Sequence, residues 1–562
     1  MQGDVVRPSS ALLRASRWPG VPDRLTALLA VQLLSERRDR EGLEHFSALS
    51  AERPGSALAR SLAGVFRARL HGPVEEALAD LDDAAERELG LPHYFRGTTL
   101  AALPGCAGRA GTAIADLEFV LAVRDQFPAG FLHAVQWALA RAYECAGRPQ
   151  DALEARRRVG HDRDVALATD YVADAEHGIR FGPPRLVERA PGVHLAQGYD
   201  FADFGFVVTG DGVVAIDAGS DPRHVEAALR DLREVTDQPV THVILTHAHF
   251  DHVGGLDAFT DAQVIAQARF PEELRSQAGS PPPFPYLLPR GRDHRKQAVP
   301  DRLVGSAETL TVGGVEFGLI PISGGESADG LVVHLPATGV VFVGDMCMPY
   351  LGAPFVAEGS AEGLFEAIRT VGDLRPNLLL HGHTGLTDNF TVEALPGLSA
   401  ALRELHAVVL AGVADGRPLV DLLELDHLPE VLRDHPAAIT PYLVMRDGFV
   451  QRVNRQATGY WRADGTGVEH FSTAEWAVAL DLLGGGGPDA FAKTGEELLS
   501  RGDPALALRI VESGLLRHPR EPALAALRQR LLLALVERNQ FLDPFKFAYY
   551  AGLAGLTLAP AG

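Results

Sequence analysis

Three histidines and an aspartate fall within six consecutive positions, His247, His249, Asp251 and His252, in the stretch "VILTHAHFDHVGG" that ends an apolar run. Imidazole nitrogen and carboxylate oxygen bind zinc at about 2.0–2.2 Å, and iron or manganese accept the same donors. In an extended segment His247 and His249 project to one side, because side chains alternate with period two. Asp251 and His252 follow in the next turn, so two adjacent ligand sets face one pocket. Burying these groups without partners would cost too much for them to be a mere helix cap. The expectation is a metal centre whose remaining ligands come from elsewhere in the chain.

The elements around this stretch are β-rich. The runs "GFVVTGDGVVAIDAG", "VTHVILTH", "ETLTVGGVEFGLIPI" and "LVVHLPATGVVFVGD" alternate with turn signals. The Gly-Asp-Gly and Gly-Gly pairs suit tight hairpin turns. Helical segments such as "DPRHVEAALRDLREV" and "AEGLFEAIRTVGDL" separate some strands, which reads as two sheets with helices outside. Ahead of them, from about residue 24 to 160, the chain is rich in Ala, Leu and Arg with helical periodicity. The units "LAALPGCAGRAGTAIADLE" and "LARAYECAGRPQDALEA" resemble each other, and the offset from Gly108 to Gly147 is near, but not equal to, the tetratricopeptide period of about 34 residues. This predicts a degenerate array of helical hairpins, an architecture suited to binding a protein partner. Helices return from about residue 398. The expected architecture is therefore α+β, with a helical repeat domain over 1–180, a sheet-containing catalytic domain over 181–397 and a helical assembly domain over 398–562.

Composition narrows the function. The chain has 562 residues, with 73 acidic and 52 basic side chains and a net charge of −21. A field of that sign repels phosphate backbones and disfavours nucleic-acid binding. Apolar residues make up 46% and charged residues 22%, the balance of a globular protein. The three cysteines, Cys106, Cys145 and Cys347, are widely spaced and predict neither a disulfide framework nor a CxxC metal site. The opening "MQGDVVRPSS" lacks a basic region followed by an apolar one, and no unbroken apolar run reaches about 18 residues. No membrane span and a cytoplasmic location are expected.

The motif His-x-His-x-Asp-His, met in full by His247, His249, Asp251 and His252, resembles that of the metallo-β-lactamase superfamily. The resemblance covers roughly residues 186–389 and implies an αββα sandwich. It makes Asp217 of "AIDAG" the carboxylate that orients the ligands, Asp345 of "FVGD" a bridge between two metals, and a histidine of "LLLHGHTG" the last ligand. His383 takes that place in the alignment and His381 is its rival. One motif departs: where the family has Gly-His-Thr, this chain reads "SGGESADGLVVHLP", putting Glu326 at the histidine position. The alkylsulfatase branch of the superfamily is similar in using a glutamate there. "YLLPRG" at 286–291 resembles part of that branch's active-site insert. The tail, from "GYWRADGTGVEHF" to "RNQFL", resembles its dimerisation domain.

What the resemblance implies is a pair of divalent cations, zinc by preference. His247, His249 and Glu326 hold one, Asp251, His252 and His383 hold the other, and Asp345 bridges them. A bridging hydroxide then attacks an ester, with Asp251 as proton acceptor. Alkyl sulfate esters are the favoured small-molecule substrates, with carboxylic esters, lactones and β-lactams behind them. Three features differ from the alkylsulfatases: no arginine follows Asp345 in "MCMPYLGAPFV", no sterol-carrier-like domain follows the tail, and the helical front end is unlike theirs. The competing readings are a repeat-based interaction scaffold with a regulatory metal domain, and an iron-dependent oxygenase acting on thiol adducts. A homodimer through the C-terminal helices is expected.

Other residues have alternative roles. The loop "PRGRDHRKQ", with Arg290, Arg292, Arg295 and Lys296, either grips an anionic group, together with Tyr286, or is simply solvated. The preceding "PPPFPY" is either an apolar lid through Phe284 and Tyr286 or a surface connector. Cys347 reads as a small buried hydrophobe, and His242 and His334 as structural residues within strands.

Overall fold

The computed structural model describes residues 8–18, 21–70, 74–281, 283–295, 297–349, 359–459, 465 and 467–561. Lys296, residues 350–356 of the segment after Asp345 and residues 460–464 of the tail motif lie outside the described residues, as does Pro282 of the proline run.

Residues 1–11 and 172–464 form one compact unit. Within it a seven-stranded sheet runs in the spatial order Arg185–Ala190, Val193–Gln197, Phe204–Val208, Val213–Ile216, Val240–Ile244, Gln263–Gln267 and Arg302–Val304. Its first four strands are an antiparallel meander; the last three add in parallel. A five-stranded sheet follows, Glu308–Val312, Val315–Pro321, Leu331–Leu335, Val340–Gly344 and Leu378–His381, antiparallel except for its last pair.

Alternation within each strand builds two layers of core. Val214, Ile216 and Ile244 join Phe317, Leu319, Val333 and Leu380 between the sheets. Their neighbours Val213, Ala215 and Val243 face the other way, onto Val225, Ala228 and Leu232 of the helix Pro222–Leu232. Each fully buried Val, Leu or Phe contributes about 1.5–3 kcal/mol, so the sandwich supplies a rigid frame for strand-end loops. The helix Ala361–Asp373 packs with Ala394–Ala414 and Ile439–Ala457. Ala394–Ala414 is, among the described residues, the one helix long and apolar enough to cross a membrane by length and composition; it carries Arg403 and Glu404 and buries Leu398, Leu402, Leu405 and Val409.

Residues 12–171 and 465–562 form the second unit, which among its described residues is helical apart from turns, the start of a strand at Tyr171 and isolated bridges such as His161 to Leu558. The paired sequence units are helical hairpins: Leu91–Ala102 with Ala110–Ala122, and Phe131–Cys145 with Pro149–Arg157. Gly97 lets its helix close on the next one, since a Cβ there would stand 2.8 Å from Leu117 Cγ. The C-terminal helices pack back onto this array. Phe547 meets the ring of Tyr171 at 4.9 Å, Ala168 N–H donates to Gln540 Oε1 at 2.7 Å, and Ala559 N–H donates to Gly160 O at 2.7 Å. The chain thus divides in two, where three consecutive spans, 1–180, 181–397 and 398–562, were expected. The helices of 394–457 cluster with the sheets, and 465–562 with the front array.

The cysteine expectation is corrected here. Cys106 and Cys145 form a disulfide, with their Cα atoms 6.1 Å apart. The turn Pro104–Gly108 takes left-handed backbone at Gly105, Cys106 and Ala107, which brings Cys106 against the end of the helix Phe131–Cys145. A separation of 39 residues gave no hint of this proximity. Cys347 is buried, as expected of a small hydrophobe, and burial pushes its thiol up to about 12.

Candidate metal centre

The strand Val240–Ile244 ends just before Leu245, and the chain turns through Thr246–His249 into a single helical turn, Phe250–Val253. Gly254 and Gly255 permit the turn: a Cβ at either would come within 2.3 Å of Ser220 O or 2.1 Å of Ala218 O. Two ligand sets result. His247, His249 and Glu326 each offer one ligand atom to a common point, and so do Asp251, His252, Asp345 and His383; within each set the atoms lie within 4.8 Å of one another. All seven residues are buried.

Three of the four imidazoles are turned by a partner on the far side. Asp217 accepts from Thr246 N–H and from Thr246 Oγ1, both at 2.7 Å. With its proton committed there, the Thr246 hydroxyl accepts from His247 Nδ1 at 3.0 Å, which leaves His247 Nε2 as the ligand nitrogen. Asp217 also accepts from His252 Nδ1 at 2.9 Å, and the carbonyl of Phe201 accepts from His383 Nδ1 at 2.9 Å. Such outer contacts fix the tautomer and aim the free lone pair at the metal. Asp217 holds these bonds from left-handed backbone, φ 64°, a strain of the kind that concentrates at functional sites.

On the inner side Asp345 Oδ2 lies 3.0 Å from His383 Nε2, 3.3 Å from His252 Nε2 and 4.0 Å from His247 Nε2. Asp251 Oδ2 is 3.5 Å from His383 Nε2 and 3.6 Å from His252 Nε2. Glu326 Oε2 is 3.0 Å from His249 Nδ1 and 3.4 Å from His247 Nε2. Buried His247 Nε2, Glu326 Oε2 and Asp345 Oδ1 have no hydrogen-bond partner, and divalent cations in the two ligand sets would satisfy them. The donor set, imidazole with carboxylate, suits zinc, iron or manganese, so the residues present fit the metals that the sequence motif calls for. Gly382 keeps the space open: a Cβ there would stand 2.4 Å from Asp345 Oδ1 and 2.5 Å from His252 Cε1.

The charges pull against burial. Burial lowers His247, helped by the neighbouring His252 and His249, to well below its ordinary value. Burial also opposes protonation of His249 and His383, yet Glu326 and Asp345 respectively overcome it and raise each to about 9. Asp345 is held well below the usual carboxylate range by His383 and His252 despite its burial, whereas burial raises Asp251. A cation pair would take over from protons the task of balancing these carboxylates.

The seven ligand candidates from sequence therefore come together, and Asp217 lies behind them. His381 does not join either set. Its backbone N–H bonds Thr387 Oγ1 at 3.0 Å and its Nε2 donates to Phe390 O at 3.0 Å. The basic loop is put to structural use: Arg292 pairs with the fully buried Asp221 at 2.9 Å, and Asp221 caps the helix Pro222–Leu232. Arg290 is exposed, with its backbone N–H on Glu176 O, and Tyr286 gives its carbonyl to Ile179 N–H at 2.7 Å. Thr246 and the carbonyl of Phe201 were not singled out from sequence. The hydroxyl directly before the first motif histidine was a legible signal for Thr246; nothing local marked Phe201.

Residues 198–383 match the model of the Metallo-beta-lactamase superfamily. Sandwich and site together define the class of this central stretch: it is a metallo-β-lactamase domain with the donor set of a metal-dependent hydrolase. Among curated relatives, a hydroxyacylglutathione hydrolase of Erythrobacter litoralis is 26% identical over 211 residues, covering 36% of this chain and 74% of its own. Metallo-beta-lactamase domain-containing protein 1 of Xenopus laevis is 30% identical over 145 residues, 23% of this chain and 60% of its own. Among solved structures, the stereoselective inverting sec-alkylsulfatase Pisa1 from Pseudomonas sp. superposes with a TM-score of 0.53 at 20% identity, over 65% of this chain and 64% of that enzyme. This chain thus spans just under two thirds of the alkylsulfatase it resembles in fold.

Proposed function

We propose that the protein hydrolyses a small-molecule ester with two divalent cations, and that alkyl sulfate esters are its substrate class. The observation that carries the dinuclear reading is the division of seven buried side chains into two ligand sets, with Asp345 Oδ2 within 3.0–4.0 Å of histidines from both. His247, His249 and Glu326 would hold one cation, Asp251, His252 and His383 the other, with Asp345 between them. Bound there, two cations supply Lewis acidity and make water acidic enough to ionise near neutral pH.

The chain's own residues do the rest. Asp217, Thr246 and the Phe201 carbonyl lock three imidazoles in the orientation that ligation needs. Asp251, with Oδ2 3.5 Å from His383 Nε2, is the carboxylate placed to take up the proton that hydrolysis releases. Enclosure of the cluster excludes bulk water and strengthens every charge interaction inside it.

Two features favour the sulfate ester: the fold likeness to an alkylsulfatase, and Glu326 in place of the histidine that is common in the superfamily. A second reading, hydrolysis of an acyl substrate such as hydroxyacylglutathione, is favoured by the curated relatives. Steady-state hydrolysis by zinc-loaded protein of dodecyl sulfate, a hydroxyacylglutathione, a lactone and a β-lactam is the deciding experiment. Turnover of dodecyl sulfate at a kcat/KM at least about tenfold above the others supports the proposal; preference for the acyl substrate replaces it with the second reading.

A further inference from the structure

Glu326 sits in a loop built almost without side chains. Residues 323–325 are Ser-Gly-Gly, Gly324 bridges to Ser327 across the glutamate, and Gly325 has φ 82°. A Cβ on Gly325 would stand 2.5 Å from Met346 O, and one on Gly324 would stand 2.0 Å from the carbonyl carbon of Gly363. The loop is therefore pressed between the segment after Asp345 and the start of the helix Ala361–Asp373. Glycine packing gives closeness but no directional hold, because a Gly-Gly pair is the least constrained backbone there is.

The directional hold comes from the helix Ile439–Ala457, which lies beyond residues 198–383 that match the superfamily model. Arg452, 2% exposed, donates from Nη2 to the carbonyl of Gly325 at 2.8 Å. One turn later on the same face, Gln456 Nε2 donates to the carbonyl of Gly359 at 3.2 Å. Gly359 N–H in turn donates to the carbonyl of Glu326 at 2.8 Å. Arg452 thus holds the peptide unit before the one ligand that departs from the common family pattern, and Gln456 of the same helix holds Gly359, which bonds the peptide unit after it. A buried guanidinium is a costly group to enclose, and one of its charge-assisted bonds is directed to the carbonyl beside a ligand, which points to a positioning role.

We propose that Arg452 and Gln456 are positioning residues for Glu326, so that the affinity of the first cation site is set by a helix outside the metallo-β-lactamase segment. The inference rests on the dinuclear reading above. The test is zinc titration of the full-length, metal-free protein against a chromophoric chelator, for wild type, Arg452→Met, Arg452→Lys and Gln456→Leu, with circular dichroism on each. Outer-shell losses of this kind cost about 10–100-fold in metal affinity. The expected result is a loss of about tenfold or more at one of two zinc equivalents, the other changing by less than about threefold, with Arg452→Lys intermediate. If Arg452→Met does not fold, the exposed Gln456 carries the test through Gln456→Leu. Variants that bind both equivalents as wild type does, or that weaken both in parallel, overturn the proposal. A wild-type protein that takes up no zinc overturns the dinuclear reading instead.

Discussion

Nε2 of His383 stands 3.0 Å from Oδ2 of Asp345, while His381, two residues earlier, spends its Nε2 proton on the carbonyl of Phe390. His383→Ala is therefore expected to lower zinc content from two equivalents per chain toward one and to abolish turnover. His381→Ala is expected to keep both metals. Elemental analysis after dialysis distinguishes them, and a His381 variant that loses metal while His383→Ala keeps it would reverse the assignment.

Asp217 accepts three hydrogen bonds at once, two from Thr246 and one from His252, from a strained backbone. Asp217→Asn removes charge while keeping shape. Metal affinity is expected to fall by about 10–100-fold with the fold retained, read by competitive zinc binding and circular dichroism.

Gly382→Ala places a methyl group where Asp345 Oδ1 and His252 Cε1 already lie. This substitution replaces no ligand but crowds two of them, and it is expected to reduce zinc uptake at the second site at least about tenfold, an effect on the scale of losing an outer-shell partner. Unchanged uptake would mean that the loop relaxes freely.

Asp221 is held below its ordinary value of 3.8 against burial by Arg292 and Arg223. Its ion-pair stabilisation is complete above pH 4 and is lost as pH falls toward the depressed folded value. Arg292→Met is expected to destabilise at neutral pH by about 1–3 kcal/mol, an amount typical of a hydrogen bond to a charged group. The gap to wild type should narrow on acidification below about pH 4, as followed by denaturant melts. A gap that widens in acid would contradict this linkage.

The disulfide Cys106–Cys145 closes a long loop, and removing it through Cys145→Ser is expected to cost about 2–4 kcal/mol in the helical unit. Scanning calorimetry under oxidising and reducing conditions reads the difference. Equal melting of oxidised wild type and variant would show that the bond is not formed in solution.

The sandwich and the ligand set were legible because their information is local. Period-two alternation marks strands such as Val213–Ile216 and Val240–Ile244, and the motif places four ligands within six residues. Even Glu326 could be found, by counting back from the strand Leu331–Leu335. What escaped depends on contacts far apart in the chain. Cys106 with Cys145, Arg292 with Asp221, Arg452 with Gly325 and Phe201 with His383 are pairings that no periodicity encodes. The partition into units escaped for the same reason: helical spacing shows that 473–554 is helical, and leaves its partner unnamed.

Because 12–171 and 465–562 form one compact unit, most of the metal-bearing unit is inserted in the sequence between its two parts. During synthesis the front helices must wait for almost three hundred intervening residues before their closing partners emerge, a late, long-range step of the kind that slows folding and invites chaperones. Cutting the gene near codon 398 would thus injure both bodies at once, stripping the helix that holds the Glu326 loop from one and the C-terminal helices from the other. Safe excision would instead follow the seams near 171 and 465.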